Sequence, residues 1–260
     1  MGLLEGKRAL IFGLANDHSI AWGIAQALHR EGATVGFASM EMLMEKRVKP
    51  LAAQLDSPFV EPCDVQKDED IARVFAKWKD QFGELDILVH AVAFANKDDL
   101  KGEFMNVSRE GFLLAHDVSA YSLVALAREA RPLMSDGGTI LTLSYYGAEK
   151  AVVNYNIMGV AKASLEACVR YLAVDLGKEG IRVNALSAGP GRTLSASGVS
   201  GFKKMHRLFE QFSPMRRPLS IDDLGNSAVY LCSDLSRGTT GEIHYVDGGY
   251  NIIGVPEVVD

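Results

Sequence analysis

Tyr155 and Lys162 are spaced for acid chemistry, with six residues between them in a chain of 260. Seven steps of about 100° return an α-helix to nearly the same face, so the two side chains project together about two turns apart. An ammonium near a phenol favours the phenolate by charge proximity. That makes the phenol a better proton donor or oxyanion partner near neutral pH. The same ammonium suits ribose hydroxyls. Taken alone, the spacing also fits two residues on a solvated helix face. Its place beyond an apolar strand at 139–143 and a turn at 144–153 favours the chemical reading. Tyr145 stands ten residues before Tyr155, with Tyr146 beside it. One of the two points into a cleft; Tyr146 is expected to pack.

A second group of residues suits a phosphate-bearing ligand. The run from Gly13 to Gly23 joins a strand to a helix that Ser19 can cap, opening at Ile20. Glycine lets the backbone turn tightly, and a helix opening offers free N–H groups and a positive dipole end to a pyrophosphate. The usual GxGxxG spacing is absent, so a turn that simply needs glycine fits equally. Asp64 and Val65 end the third strand. Asp64 can accept from an adenine amino group, or serve as a helix N-cap. The segment from Ala188 to Thr193 carries Gly-Pro-Gly and can wrap an amide with backbone groups. His90 reads as structural, and no histidine has metal-ligand spacing. Lys203, Lys204 and Arg207 form a short basic segment, either a docking patch for an acidic partner or a solvated helix face.

The elements that must hold these residues alternate along the chain. Strands are expected at Arg8–Phe12, 34–38, 59–61, 85–90, 139–143, 181–186 and 242–246. Helices are expected at Ile20–Arg30, 42–55 (with Pro50 placed to split it), Asp68–Phe82, 115–131, Asn156–Leu176 and Ile221–Cys232. This order predicts an α/β fold, a single doubly wound parallel sheet with helices on both faces. The strands are nearly continuous apolar runs, as expected when both faces are covered. Irregular stretches at 91–103 and 187–201 follow strands, where ligands of open α/β sheets sit. No linker divides the chain, so 1–260 reads as one domain.

Bulk properties exclude several classes. A net charge of −6 argues against nucleic-acid binding, which needs a basic face. Cys63, Cys168 and Cys232 form no CxxC pair, which fits a reducing compartment without a zinc site. Neither a signal peptide nor a bilayer-length apolar run is visible, so no membrane association and a cytoplasmic location are expected.

In order along the chain come Gly13…Ser19…Gly23, Asp64-Val65, the run from His90 to Ala95, Leu143-Ser-Tyr-Tyr-Gly-Ala148, Asn154-Tyr-Asn-x-Met-Gly-x-Ala-Lys162, Ser187-Ala-Gly-Pro190 and Val246-Asp-Gly-Gly249. Together they resemble the short-chain dehydrogenase/reductase superfamily, with its Rossmann-like fold. More narrowly they resemble its divergent branch, the bacterial NADH-dependent enoyl-[acyl-carrier-protein] reductases. The Tyr145…Tyr155…Lys162 spacing with the Gly13…Ser19 turn marks this branch.

The resemblance implies hydride transfer from NADH to an enoyl thioester. It implies that Tyr155 hydrogen-bonds the thioester oxygen, that Lys162 holds the nicotinamide ribose, and that Tyr145 lines the acyl site and assists protonation. Gly13, Ser19 and Ile20 would hold the pyrophosphate side, with Met40, Asp64 and Val65 around the adenine. Val92, Lys162, Gly191, Arg192, Thr193, Leu194 and Ser195 would contact the nicotinamide half. Ala95, Tyr145, Tyr155, Met158 and Phe202 would border the acyl chain, within a substrate segment that includes about 191–212. Lys203 and Lys204 would dock the acidic carrier protein, and the assembly would be a homotetramer. Ala93 stands where many relatives carry glycine, which narrows the pocket near the nicotinamide. Gly191 replaces a usual Ile or Val and loosens its loop. Met40 followed by Glu41, with no adjoining Arg/Lys pair, favours NADH over NADPH.

Two other readings remain at this level. A ketone or alcohol dehydrogenase of the same superfamily needs a hydroxyl about thirteen residues before Tyr155, and Thr142 stands there. A non-catalytic NAD-binding regulator on the same fold is the other, since fold does not fix function.

Overall fold

In the computed structural model, which describes residues 2–189 and 209–255, the described residues form one seven-stranded sheet. Its strands are β1 (Arg8–Phe12), β2 (Thr34–Ser39), β3 (Val60–Pro62), β4 (Ile87–His90), β5 (Gly138–Ser144), β6 (Ile181–Ala188) and β7 (Ile243–Val246). All pairings are parallel, in the order β3-β2-β1-β4-β5-β6-β7. The order reverses between β1 and β4, which opens a crevice at their carboxyl ends.

Alternate residues of each strand feed two cores, because side chains in a strand alternate faces. Leu10, Phe12, Leu88, Ile140 and Val183 pack against α4 (Asp68–Phe82), α6 (Ser122–Ala130) and α7 (Asn156–Leu176). Ile11, Val35, Val89, Leu141 and Leu186 pack on the other face against α1 (Ile20–Arg30) and α8 (Ile221–Cys232). Helices α1 and α8 cross glycine to glycine. A Cβ on Gly23 would lie 2.6 Å from the Ile221 carbonyl oxygen, and one on Gly225 2.5 Å from that of Gly23.

The expected helix over 42–55 is one helical run in three parts: α2 (Glu41–Leu43), a π turn (Met44–Val48) and α3 (Lys49–Ala53). Pro50 falls in the first turn of α3, where its missing N–H matters least, and the π turn before it re-registers the backbone. The helix expected over 115–131 begins earlier, as α5 (Arg109–His116), capped by Ser108 accepting from the Gly111 N–H. A π turn (Asp117–Tyr121) joins it to α6, and a 3-10 turn (Arg131–Leu133) carries Pro132 at the end.

Candidate active site

The exits of β1, β2, β3, β4 and β5 carry expected site residues toward the crevice. At the first, Gly13 has φ +94°, a conformation that favours glycine, and a Cβ there would overlap the Ala91 carbonyl oxygen and approach Val92 Cγ2. Its N–H bonds the Ala38 carbonyl oxygen at 3.0 Å. Ser19 caps α1 as expected, accepting from the Trp22 N–H and donating to the Asn16 carbonyl oxygen at 2.6 Å. The N–H groups of Ile20 and Ala21 in this opening turn precede the helical ladder and suit a phosphate. The bare backbone at Gly13 beside that opening fits a dinucleotide.

Around the outer strands, Met40 lies 44% exposed at the carboxyl end of β2. Val65 is largely buried in the core. Asp64 is not the helix cap: Lys67 holds that position without a side-chain bond. Instead Asp64 Oδ1 accepts from the Gln66 N–H at 3.1 Å, shaping a tight turn.

Beyond β5 the acid residues come together. Tyr145 and Tyr155 meet edge to face, with ring centroids 4.9 Å apart. Gly147 makes this possible, since a Cβ there would lie 2.5 Å from the Tyr155 ring. Gly159 lets α7 approach the same turn, since a Cβ there would lie 2.7 Å from the Gly147 carbonyl oxygen. Tyr155 sits between Asn154 (φ +65°) and Asn156 (φ +38°), left-handed positions that asparagine tolerates better than most residues. Met158 lies in one small apolar cluster with Ala95 and Tyr155 packed against it. Ala93, by contrast, is exposed.

Lys162 is 5% exposed, and its Nζ donates to the Leu143 carbonyl oxygen at 2.6 Å. Burial pulls its pKa down to about 8, and the charge of Glu166 one turn later partly opposes this. Glu166, 6% exposed, accepts from Ser144 Oγ, and burial holds its carboxyl above the usual range. Burial also pushes Tyr145 up to about 12 and Tyr155 higher still. This corrects the sequence expectation of an ammonium that favours phenolate: desolvation governs Tyr155, which stays a neutral phenol able to donate.

Thr142 does not stand in for a catalytic serine. It is fully buried, and its Oγ1 lies 2.7 Å from His90 Nδ1. Burial holds His90 neutral, with its pKa down at about 3. Tyr146 packs as expected, edge to face with Tyr245 and Tyr250, and donates to the Asn251 carbonyl oxygen.

Gly191, Arg192, Thr193, Leu194, Ser195, Phe202, Lys203 and Lys204 lie outside the described residues. Glu166 lies outside every sequence motif, while Ser144, Gly147 and Gly159 stand within motifs without an expected role. Glu166, at i+4 from Lys162, was the most readable of them. A cavity of about 360 Å³ lies at the opposite, amino ends of the strands, lined by Lys7, Asp86, Thr139, Arg182 and Arg237 among others. There Lys7 pairs with Asp86, and Arg182 ties the Leu231 and Ser233 carbonyls to the sheet.

The doubly wound sheet, the glycine turn under α1 and the tyrosine–lysine group beyond β5 define a reductase of the short-chain dehydrogenase/reductase class. Comparison with known proteins narrows this. The family model described as enoyl-(acyl carrier protein) reductase matches residues 13–251. The enoyl-[acyl-carrier-protein] reductase [NADH] FabI of Bacillus cereus is 53% identical, covering 98% of this chain and 100% of that protein. The solved enoyl reductase of Anaplasma phagocytophilum in complex with NAD superposes with TM-score 0.95 at 51% identity, over 99% of this chain and 98% of that one. The Bacillus cereus enzyme solved with NADP+ and an indole naphthyridinone gives 0.96 at 52%, over 98% and 100%. The chain belongs to the enoyl-(acyl carrier protein) reductase family.

Proposed function

We propose that this chain reduces the trans-2 double bond of enoyl-[acyl-carrier-protein] thioesters with NADH, the last reductive step of type II fatty-acid elongation. The observation that carries the chemistry is the edge-to-face Tyr145–Tyr155 pair, with Lys162 buried and bonded to the Leu143 carbonyl oxygen two residues before Tyr145.

Bound NADH supplies a hydride for the β-carbon of the substrate. Negative charge then builds on the thioester oxygen, and a donor aimed there lowers the barrier. The Tyr155 O–H, kept protonated by burial, is that donor. Lys162, charged below about pH 8, supplies a positive field and holds ribose hydroxyls. Tyr145 lines the acyl side with a second protonated phenol, an acid for the α-carbon. Gly13, Ser19 and Ile20 receive the pyrophosphate, Met40, Asp64 and Val65 border the adenine, and Val92 flanks the nicotinamide. Ala95 and Met158 border the acyl chain, as does Phe202. Gly191, Arg192, Thr193, Leu194 and Ser195 contact the nicotinamide half, and the segment about 191–212 belongs to the same single domain.

NADH is favoured over NADPH because Met40 and Glu41 follow β2 where a 2′-phosphate wants cations. A clear advantage of NADPH in kcat/KM would overturn that preference. Lys203 and Lys204 dock the carrier protein, giving a local positive patch on a chain of net charge −6.

A homotetramer is proposed because α7 carries an outward apolar stripe, Val160, Ala163, Ala167, Tyr171 and Val174, at helical spacing, with Phe112 and Leu113 exposed on the adjoining α5. Among the described residues no helix is long and apolar enough to cross a membrane; a cytoplasmic location is proposed with the carrier-protein substrate.

The test is loss of NADH on mixing the protein with a trans-2-enoyl thioester. Rapid oxidation is expected, with Lys162→Ala inactive and no activity on ketones. Turnover of ketones instead would favour the dehydrogenase reading. Cofactor binding without turnover of any enoyl thioester would favour the regulator.

A further inference from the structure

The π turn between α5 and α6 leaves the backbone of one helix out of α-register at the point where it crosses the site. The Ser122 N–H bonds the Asp117 carbonyl oxygen, five residues back, instead of that of Val118. The Val118 carbonyl oxygen is therefore released, and the Ser122 hydroxyl donates to it at 2.7 Å. With its proton used, Ser122 Oγ accepts from His90 Nε2–H at 2.8 Å. His90 Nδ1 lies 2.7 Å from Thr142 Oγ1, whose hydroxyl also reaches the His90 carbonyl oxygen at 3.3 Å. The last residue of β4 is thus fixed from the π turn.

Ser119, fully buried in the same turn, fixes the chain four residues further on. Its Oγ accepts from the Phe94 N–H at 3.0 Å and donates to the Phe94 carbonyl oxygen at 3.2 Å. Between the two anchors lies Val92, and next to Phe94 lies Ala95. Asp117 reaches the neighbouring exit: its Oδ2 accepts from Gln66 Nε2 at 3.0 Å, in the turn that carries Asp64 and Val65. A regular helix would not release the Val118 carbonyl, and π turns recur at functional sites for such reasons.

We propose that the π turn Asp117–Tyr121 is a positioning element that sets the β3 and β4 exit loops against each other. In it Ser119 is a positioning residue for the nicotinamide and acyl side, and Asp117 one for the adenine side. The inference rests on the reductase reading given above and adds residues that touch neither substrate nor cofactor.

The experiment is steady-state kinetics of the full-length protein with NADH and a trans-2-enoyl thioester, alongside thermal melting. Ser119→Ala should raise KM for the thioester about tenfold, as expected for losing two hydrogen bonds of a buried hydroxyl, with kcat within about twofold. Asp117→Ala should raise KM for NADH about threefold, the smaller effect expected of an exposed pair, and leave the thioester KM unchanged. Asp117→Asn keeps an acceptor and should behave as wild type. A KM for the thioester unmoved in Ser119→Ala overturns the inference, whether or not its melting temperature falls. So do equal losses in all parameters for Ser119→Ala and Asp117→Ala, since those would report general loosening. Should Ser119→Ala fail to fold, Asp117→Ala against Asp117→Asn decides the matter alone. An inactive wild type would refute the reductase reading instead, and the two failures are therefore distinct.

Discussion

Lys162 carries its charge in a place that disfavours charge. Burial lowers its pKa from 10.5 to about 8, against the opposing pull of Glu166. Two consequences follow for pH. The logarithm of kcat/KM, which reports groups of the free enzyme, should fall above about pH 8 as Lys162 loses its proton. Tyr155 contributes nothing to that limb, because its own shift is upward. A limb lying above pH 10 would show that Lys162 is not desolvated as described. Between about pH 8 and 10.5 the unfolded chain holds the Lys162 proton and the folded chain does not, so unfolding free energy rises with pH across that window. Below it the burial penalty is present in full. Lys162→Met should flatten this rise, measured by denaturant midpoints at pH 7.5 and 10. Tyr155→Phe removes the donor to the thioester oxygen, and should lower kcat by about 10²-fold, by analogy with loss of one oxyanion donor. A kcat within twofold of wild type would remove Tyr155 from that role.

Among the elements, α1 has two tasks, and substitutions separate them. Its Ser19 cap serves both the fold and the ligand. Ser19→Ala should lower stability by about 1 kcal/mol and raise KM for NADH. Ser19→Gly should recover most of the stability, since glycine caps nearly as well, but not the KM. Recovery of both would make Ser19 a cap only. The other task is the crossing with α8. Gly225→Ala places a methyl 2.5 Å from the Gly23 carbonyl oxygen, and backbone cannot move aside as a flexible side chain can. A loss of about 1–3 kcal/mol is expected from such overpacking, read from the denaturant midpoint, with KM for the thioester little changed because the crossing lies away from α7. An unchanged midpoint would mean the helices separate freely. The two π turns belong to this scale as well: one accommodates Pro50, and the other frees a carbonyl beside His90.

At the level of the whole molecule, the stripe on α7 and the apolar residues of α5 are exposed in the single chain. A second copy covering them would explain their composition. Tyr171→Glu with Val174→Asp should shift sedimentation to a smaller species, while a double variant that sediments as wild type would place any interface elsewhere. Lys203→Glu with Lys204→Glu should raise KM for a thioester carried by the acidic carrier protein, and leave KM for a small carrier-free thioester unchanged. Equal effects on both would assign those lysines to something other than docking.

The sequence by itself determined the alternation of elements, and with it the doubly wound sheet. Apolar periodicity and capping are local signals: Ile20–Arg30, Asp68–Phe82, Asn156–Leu176 and Ile221–Cys232 have the bounds expected from them. It also put Tyr155 and Lys162 seven residues apart at the start of one helix, but Tyr155 is the N-cap of α7 and Asn156 has φ +38°, so helix geometry alone does not set their relation. Boundaries that depend on hydrogen-bond register were not legible. Both π turns depend on that register, whereas the start of α5 at Arg109 carries a local signal, the Ser108 cap, that the apolar pattern alone misses. Nor was the state of the acid residues. Whether Lys162 acts on Tyr155, or Glu166 on Lys162, depends on burial and on distances between strands far apart in the chain. Thr142 shows this most simply: thirteen residues before Tyr155 it satisfies a spacing rule, yet strand alternation and the His90 bond across the sheet turn it into the core. Spacing fixes which residues share an element. Tertiary packing decides which of them meet water, charge or one another.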